Sequence, residues 1–464
     1  MALPDNADLM ASIAVTRFGL GARPGEIDQA RGDPRGFLKS QIRAEGADQP
    51  AGDLKPSGEN MAAYTQLREF RKQAKAEDAA NMLKQAGQQI RQVAIGEMAA
   101  RGKLAVDTSA GFRERWTLFW ANHFTVSAVK AVVAPVAGSF EREAIRPHVF
   151  GRFEDLLVAS SRHPAMLLYL DQAQSIGPNS QAGRRRGGGL NENLAREILE
   201  LHTVGIGAGY SQADVTEFAR ALTGWSVSRG PNAQGGGGDA APEGGYMYRP
   251  FLHEPGARTI MGRSYGQDAE AQGRAVLHDL ANHPATAGHI ARKLAAHFVA
   301  DDPPPSLVAK LKDSFARSGG RLDLVAQTLI DAPEAWQPQQ AKFKTPYEFL
   351  VSSWRASGAS PDLAMPQRFV GSLNALGQRP FSPVSPKGWS DDAADWASSD
   401  GVIKRMAWAE QAAAGMAKAM DPNEAARSAL GARLTPVAAT AIARAETRPE
   451  AFAILLMSPE FQRR

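Results

Sequence analysis

The stretch NENLAREILELHT, residues 191–203, shows how this chain folds. At 3.6 residues per turn, Leu194, Ile198 and Leu201 fall on one face of a helix, and His202 falls with them. The opposite face carries the amide and charged side chains Asn193, Arg196, Glu197 and Glu200. This pattern predicts an amphipathic helix with one side packed against a core.

Helical periodicity recurs along most of the chain. Further helices are predicted over 110–124, 136–146, 151–160, 164–171 and 211–225, and one or two long helices over 60–103. Ser211 and Asp214 are predicted to form a capping box at the start of the 211–225 helix. The strand signal is confined to YMYRPFLHEPGARTIMG, residues 246–262, which alternates around a Glu-Pro-Gly turn. The sequence therefore predicts an all-α, multi-helix globular body with one small β-hairpin near 246–262.

A low-complexity stretch, residues 228–245, is the best candidate for a domain boundary. It divides the chain into an N-terminal helical region (1–227) with the candidate site, a loop plus hairpin (228–266), and a C-terminal helical region (267–464). The alternative is one continuous helical domain interrupted by this excursion. Residues 172–190, rich in glycine and arginine, are predicted to be a loop.

Composition excludes several classes of function. The 464 residues include 53 Lys and Arg against 49 Asp and Glu, a net charge of +4, which is too balanced for a nucleic-acid binder. The chain has no cysteine, so disulfides, thiolate metal sites and a cysteine nucleophile are excluded, while a divalent metal on other ligands stays open. The longest apolar runs are too short to span a membrane. The N-terminus lacks the pattern of a secretory signal, so we expect a cytoplasmic location.

The polar face of 191–203 has two interpretations. Carboxylates beside amides are unusual on a surface helix and suit acid–base chemistry on a bound substrate. The catalytic candidates are Glu192, Glu197 and Glu200, and the substrate-binding candidates are Asn191 and Asn193. The alternative is a solvated charged face with an Arg196–Glu200 pair at i,i+4 spacing.

An aromatic face on the 110–124 helix carries His123. A buried imidazole needs a polar partner or borders a cavity, so His123 is either a satisfied core histidine or a catalytic group in an aromatic cleft. We expect His123 and the Glu197 face to converge on one pocket. The other substrate-binding candidates are Trp116, Trp120 and Trp225 as stacking platforms and His253 at the predicted turn.

Three arginines, Arg184, Arg185 and Arg186, lie among glycines shortly before the 191–203 helix. Glycine-rich backbone, arginine donors and a helix N-terminus together suit a phosphate, sulfate or carboxylate. The alternative is a flexible basic loop. The Gly-Lys-Ser/Thr ending of a nucleotide-binding P-loop is absent.

Several motifs together resemble one bacterial family, catalogued as domain of unknown function 1800. They are the 191–203 block with Gly209-Tyr210, Asp214-Val215 and Leu222-Thr223-Gly224-Trp225, and then Arg17-Phe18-Gly19, Phe119 to Phe124, His163 to Leu167, His253 to Gly262, Lys387-Gly388-Trp389 and Ser458 to Phe461. The resemblance covers nearly the whole chain and brings no established activity. It implies a bacterial source, frequent export to the periplasm or beyond, and a sulfatase-like partner protein. The missing signal peptide and the enlarged 183–189 loop depart from the family pattern.

Two functional hypotheses follow. The first is a hydrolase that acts on a polar polymer such as a glycan, because paired carboxylates beside aromatic rings suit glycoside chemistry. The second is a non-catalytic binding or assembly protein, in which the Asn-Glu-Asn helix is a structural polar network. Whether the Glu197 face opens into a pocket or is buried and fully paired separates them.

Overall fold

The computed structural model describes residues 6–73, 76–228 and 244–464, and the side chains of 66–83, 86 and 186 are not among those described. The low-complexity prediction therefore lies almost wholly outside the described residues. The chain is 63% helical, which confirms the predicted all-α class. The α-helices are Ala7–Ile13, Glu26–Arg31, Pro34–Lys39, Ser57–Gln73, Ala76–Asp107, Gly111–His123, Ala137–Phe140, Phe153–Arg162, Pro164–Tyr169, Gln181–Arg186, Asn193–Glu197, Gln212–Leu222, Ala269–Ala281, Pro284–Phe298, Pro305–Ser318, Leu322–Asp331, Pro346–Ser357, Pro366–Ala375, Ala393–Trp396, Ser399–Ala419, Pro422–Leu430, Pro436–Ala443, Arg448–Met457 and Pro459–Gln462.

Shorter helical turns connect or extend these helices. The 3-10 turns are Ala134–Val136, Arg146–His148, Gln172–Gln174, Pro250–Leu252, Pro333–Trp336 and Gly431–Arg433. The π-helical turns are Ala14–Phe18, Glu141–Ile145 and Ile198–His202. A π turn accommodates an extra residue and is often found at functional sites. Each of these turns contains a buried polar residue, namely Arg17, Glu141 and His202 respectively.

Helix starts follow local chemistry that the sequence signals. Ser211 and Asp214 form the predicted capping box. Two long helices, Ser57–Gln73 and Ala76–Asp107, make up the described part of the predicted 60–103 segment. The predicted loop at 172–190 was wrong in part, because Ser180 accepts a hydrogen bond from the Gly183 backbone N–H and so caps a short helix, Gln181–Arg186.

The β excursion consists of two separate two-stranded antiparallel sheets. Tyr246–Tyr248 pairs with Trp225–Val227, and Arg258–Ile260 pairs with Arg263–Tyr265. The small β excursion is thus present, but its pairing differs from a hairpin closed at Glu254-Pro255-Gly256. The reason is that Met261 and Gly262 adopt positive φ and make a tighter turn immediately after the Arg258–Ile260 strand.

Two apolar clusters form the core. The larger one draws its members from Met10 to Trp336, and so from both sides of the 228–266 excursion. The second joins the end of the Ala76–Asp107 helix to residues from Tyr347 to Phe461. The division into domains stays a prediction. A core with members from both sides of the excursion is what the one-domain alternative predicts. No helix in the described part of the chain has the length and apolar character needed to cross a membrane.

The helix Gly111–His123, called the central helix below, is buried on nearly all sides although it carries charges. Its charged side chains are paired: Arg113 with Asp48, Glu114 with Arg146, and Arg115 with Glu348. A buried charge without a partner is costly, so these pairs fix the helix in one register. The aromatic side chains between them fill the larger core cluster.

Candidate functional site

A second helix, Pro284–Phe298, lies beside the central helix and carries polar side chains at every fourth position. They are His289, Lys293 and His297. Lys293 Nζ lies 3.0 Å from His123 Nδ1 on the central helix, and the His297 ring centroid lies 5.4 Å from that of Phe119. We call this helix the histidine helix.

His123, His202, His289 and Lys293 form a group, called the histidine cluster below, in which the first two are buried and the last two half-buried. His123 Nε2 lies 3.1 Å from the His202 carbonyl oxygen, so Nε2 carries the proton, and Nδ1 accepts from Lys293. Burial, together with the charge of Lys293, lowers the pKa of His123 well below its ordinary value. Both ring nitrogens are therefore occupied, which is the arrangement of a satisfied core histidine.

The other two histidines of the cluster are also held as neutral bases, whereas Lys293 keeps its proton at neutral pH. His289 Nε2 lies 3.0 Å from the Leu201 carbonyl oxygen. Burial, with Lys293 nearby, lowers the pKa of His202 to about 3, and burial lowers the pKa of Lys293 to about 8. Within the described residues, no three His, Asp or Glu side chains are arranged to hold a metal ion.

One end of the histidine helix borders a cavity of about 110 Å³, called the polar cavity below. His297 and Asp391 are on its wall, and Arg101, Glu141 and Tyr347 also line it. The rest of the wall is largely apolar. An apolar pocket with a few convergent polar groups is the usual form of a small-molecule site.

His297 and Asp391 form a hydrogen-bonded pair. His297 Nδ1 donates to Asp391 Oδ1 at 2.7 Å, while His297 Nε2 is buried and has no partner among the described residues. Burial alone would raise the pKa of Asp391, but His297, Lys342 and Arg464 lower it to about 2. Burial lowers the pKa of His297, although Asp391 opposes this. At neutral pH the pair is therefore a carboxylate that orients a neutral imidazole with a basic Nε2.

Neighbouring contacts hold this pair in place. Asn122, at the end of the central helix, accepts from the Trp389 N–H and donates to the Trp389 carbonyl, both at 2.8 Å. Lys342 donates to the Asp391 carbonyl. Arg464 donates to the His297 carbonyl at 2.8 Å. Backbone atoms on both sides of the His297–Asp391 pair are thus fixed by buried side chains.

The helix that contains 191–203 has the predicted amphipathic burial in its first turns, but Leu201 is only half-buried and Leu199 is fully buried, because the last turn is π-helical. Leu194 and Ile198 are fully buried, His202 is buried with them, and Asn193 is exposed. Asn191 Oδ1 accepts from the Asn193 N–H at 2.9 Å and so starts the helix. The helix is shorter than predicted, because it begins at Asn193 and its last turn is π-helical.

Glu192 is part of a network that joins this helix to the next. It accepts hydrogen bonds from Thr216 Oγ1 at 2.6 Å, Gln212 Nε2 at 2.8 Å and Arg196 Nη2 at 3.0 Å. These bonds, the Thr216 bond most of all, lower the pKa of Glu192. Arg196 also lies 3.5 Å from Glu200, at the predicted i,i+4 spacing. The contacts of Glu192 are those expected of a structural network.

Glu197 differs from Glu192 because it makes no hydrogen bond to any described residue. It is half-buried. Burial and the neighbouring charge of Glu200 raise its pKa, and Arg196 only partly opposes this. None of the described contacts of His123 is to Asn193, Glu197 or Glu200, so the expected convergence of His123 with this face is not seen.

The other predicted substrate-binding residues lie in different places. Trp116, Trp120 and Trp225 are at most 1% exposed, so none of them presents an open ring face for stacking. His253 is buried too, and its Nδ1 lies 2.8 Å from the Thr223 carbonyl. Arg184 and Arg185 are exposed on the Gln181–Arg186 helix, and anion binding there stays a prediction.

Sequence reasoning missed the polar cavity. Its key residues lie far apart in the chain, with His297 on one helix and Asp391 in a loop. Nothing in the sequence near His297 signals a partner for it. The Asn122 and Trp389 motifs were both noted, but only the fold shows that they bond to each other.

The fold and site together define a helical protein with ion pairs in its core and a polar cavity between helices. The family described as a protein of unknown function, DUF1800, matches residues 13–463. The chain belongs to this family, as its motifs indicated. No curated protein and no solved structure matches it.

Proposed function

We propose that the protein is a hydrolase that performs general acid–base chemistry on a small substrate in the polar cavity. The observation that carries this proposal is the His297–Asp391 pair, with Nδ1 and Oδ1 2.7 Å apart and Nε2 unpartnered. A carboxylate that fixes the tautomer of a neutral imidazole is the arrangement by which histidine acts as a general base.

In this proposal His297 Nε2 takes a proton from a water molecule as the water oxygen attacks an acyl carbon. The bond to the leaving group then breaks, and the imidazolium returns the proton to the leaving oxygen or nitrogen. Asp391 stays ionised and stabilises the imidazolium. The net change is the addition of one water across the broken bond.

Cavity size argues for a small substrate. A cavity of about 150 Å³ in another protein is large enough for benzene, and the polar cavity measures about 110 Å³. A sugar ring is larger than benzene, so a glycan does not fit this volume. The polymer hypothesis therefore needs a different surface.

The Glu197 face is the surface that a polymer could use, and it is the second candidate site. One observation favours it. Glu197 is half-buried, makes no hydrogen bond among the described residues and has a raised pKa beside Glu200. A carboxyl group whose pKa is raised near another carboxylate is what glycoside hydrolysis uses as its acid. The non-catalytic alternative is favoured by the network around Glu192, whose side-chain hydrogen bonds join two helices.

The test of the first proposal is hydrolysis of small esters such as ethyl acetate, followed by acid release at constant pH, and of small amides such as acetamide, followed by ammonia release. His297→Gln and Asp391→Asn should each reduce the rate at least a hundredfold, the usual size of a general-base contribution. His278→Gln is the matched control, since His278 also pairs with a carboxylate, Glu154, but is exposed. Equal rates for His297→Gln and the unaltered protein would disprove the proposal, and so would absence of hydrolysis of all substrates.

A further inference from the structure

We propose that Arg101 makes the polar cavity selective for a small organic anion, a carboxylate with a short apolar body. The inference rests on the proposed function in one respect, since it takes this anion to be part of the substrate. It is carried by the position of the Arg101 guanidinium, by a second cation, Arg379, on the cavity wall and by the apolar residues that line the rest of the cavity.

The Arg101 guanidinium is fixed by contacts that leave most of its donors unused. It lies between two aromatic rings, 4.9 Å from the Tyr347 centroid and 5.8 Å from the Phe381 centroid. Its Nε lies 2.9 Å from Glu141 Oε2. The two terminal nitrogens form no hydrogen bond with the described residues, although a guanidinium offers five N–H donors. Because Arg101 lines the polar cavity, these donors are available to a ligand there.

Glu141 cannot take up the remaining donors of Arg101. Its Oε1 accepts from Arg146 at 2.7 Å, and Arg146 also pairs with Glu114. Both carboxylate oxygens of Glu141 are therefore engaged, each with a different arginine. A planar fork with unused N–H groups is the donor geometry that matches a carboxylate in a bidentate pair.

Arg379 adds a second positive charge. It lines the polar cavity and is exposed, so the cavity reaches the surface beside it. Among the described residues it forms no ion pair. An unpaired cation at the entrance of a low-dielectric cleft raises the local concentration of anions and their rate of entry.

The apolar part of the cavity wall requires an apolar ligand body. Leu118, Phe140 and Leu373 line it, and its volume of about 110 Å³ holds a group smaller than benzene. A carboxylate with three or four carbon atoms meets both conditions. Inorganic phosphate or sulfate would pair with Arg101 and leave the apolar wall without contacts.

The experiment compares butyrate with butyramide, which has the same shape and no charge, by isothermal titration calorimetry on the full chain. Butyrate should bind at least tenfold more tightly than butyramide, a difference of about 1.4 kcal/mol. Arg101→Gln should abolish this preference. Arg142→Gln is the matched control, because Arg142 is buried to the same degree, 14% against 16% exposed side chain, pairs with Glu97 and does not line the cavity.

Further arms separate the possible results. Inorganic phosphate should bind more weakly than butyrate, and His297→Gln should keep the preference for butyrate even though it loses hydrolysis. If Arg101→Gln fails to fold by circular dichroism, Arg101→Lys decides, because it keeps the charge and loses the planar fork, and it should bind butyrate more weakly. Equal binding of butyrate and butyramide, or an unchanged preference in the Arg101 variants, would overturn the inference. Loss of hydrolysis with the preference retained would count against the proposed function alone.

Discussion

Asn122 and Trp389 exchange two hydrogen bonds, each 2.8 Å long, across 267 residues of sequence. The Asn122 side chain thereby acts like the backbone of a paired strand and fixes the loop that follows Gly388. Gly388 has a φ of 85°, and a Cβ atom there would lie 2.6 Å from the Asn122 backbone and side-chain oxygens. Only glycine therefore allows this loop to approach the central helix so closely.

The first prediction concerns this loop. Asn122→Ala removes both bonds to Trp389, two residues before Asp391, and leaves two backbone groups unpaired at a partly buried position. We expect a loss of about 1–3 kcal/mol in the free energy of unfolding, measured by urea titration, and at least tenfold slower hydrolysis. Asn282→Ala is the control, because Asn282 is exposed and bonds only within its own helix. Unchanged stability would mean that other contacts hold the Trp389 loop.

Much of the helical architecture could be predicted because it is set by local chemistry. The capping box of Ser211 and Asp214 needs only residues three apart, and the burial of Leu194 and Ile198 follows from helical periodicity. The β pairing could not be predicted in the same way. Tyr248 pairs with Trp225 across the low-complexity stretch, and nothing local selects that partner over the nearer 258–260 strand.

The candidate site was harder to predict for a related reason. The central helix contains Arg113, Glu114 and Arg115, which by composition belong on a surface, yet all three are buried with partners distant in the sequence. Likewise His297 acquires its significance only from Asp391, and the fold alone brings the two together. The sequence did identify His123 as a buried histidine that needs partners, and the partners are Lys293 and the His202 carbonyl.

The second prediction concerns acid sensitivity. The pKa of His202 is lowered to about 3, mainly by burial, so below pH 6.5 the unfolded chain binds a proton that the folded chain does not. The stability associated with neutral His202 is complete above pH 6.5 and is lost as the pH falls towards 3. This loss is about 1.4 kcal/mol per pH unit for one proton. His202→Gln should therefore make the fall in melting temperature between pH 6.5 and 5 less steep. His278→Gln should leave it unchanged, and a slope equal to that of the unaltered protein in both variants would contradict the prediction.

The third prediction concerns the alkaline range. Burial lowers the pKa of Lys293 to about 8 from an ordinary value of 10.5. Between these values the unfolded chain holds a proton that the folded chain has released, so stability rises with pH, by less than about 1.4 kcal/mol per unit. Lys293→Met should remove the rise between pH 8 and 9.5 in urea titrations. Lys310→Met is the control, since Lys310 lies 2.9 Å from Glu334 with a half-exposed side chain. A rise that persists in Lys293→Met would show that another group causes it.

The last prediction compares two glutamates on the same segment. Glu192 accepts three side-chain hydrogen bonds, which lower its pKa, so Glu192→Gln loses charge-assisted bonds to Arg196 and Thr216. We expect a fall in melting temperature of roughly 1–3 °C at pH 7, because in a chain of this length each kcal/mol shifts the midpoint by only a degree or two. Glu197 has a raised pKa, which means that its folded environment favours the uncharged form. Glutamine resembles that form, so Glu197→Gln should leave the melting temperature at pH 7 unchanged or slightly higher.

The pair of variants also separates the remaining hypotheses for this face. If Glu197→Gln keeps full stability and removes binding or cleavage of a soluble polysaccharide, Glu197 is the acid of a glycan site. If it lowers the melting temperature as much as Glu192→Gln does, the carboxylates form one structural network and the glycan hypothesis fails. The comparison can decide because the two residues are five positions apart, are both partly exposed and both have Arg196 as a neighbour. A difference between them reflects the hydrogen bonds that Glu192 accepts, and the burial and Glu200 charge that act on Glu197.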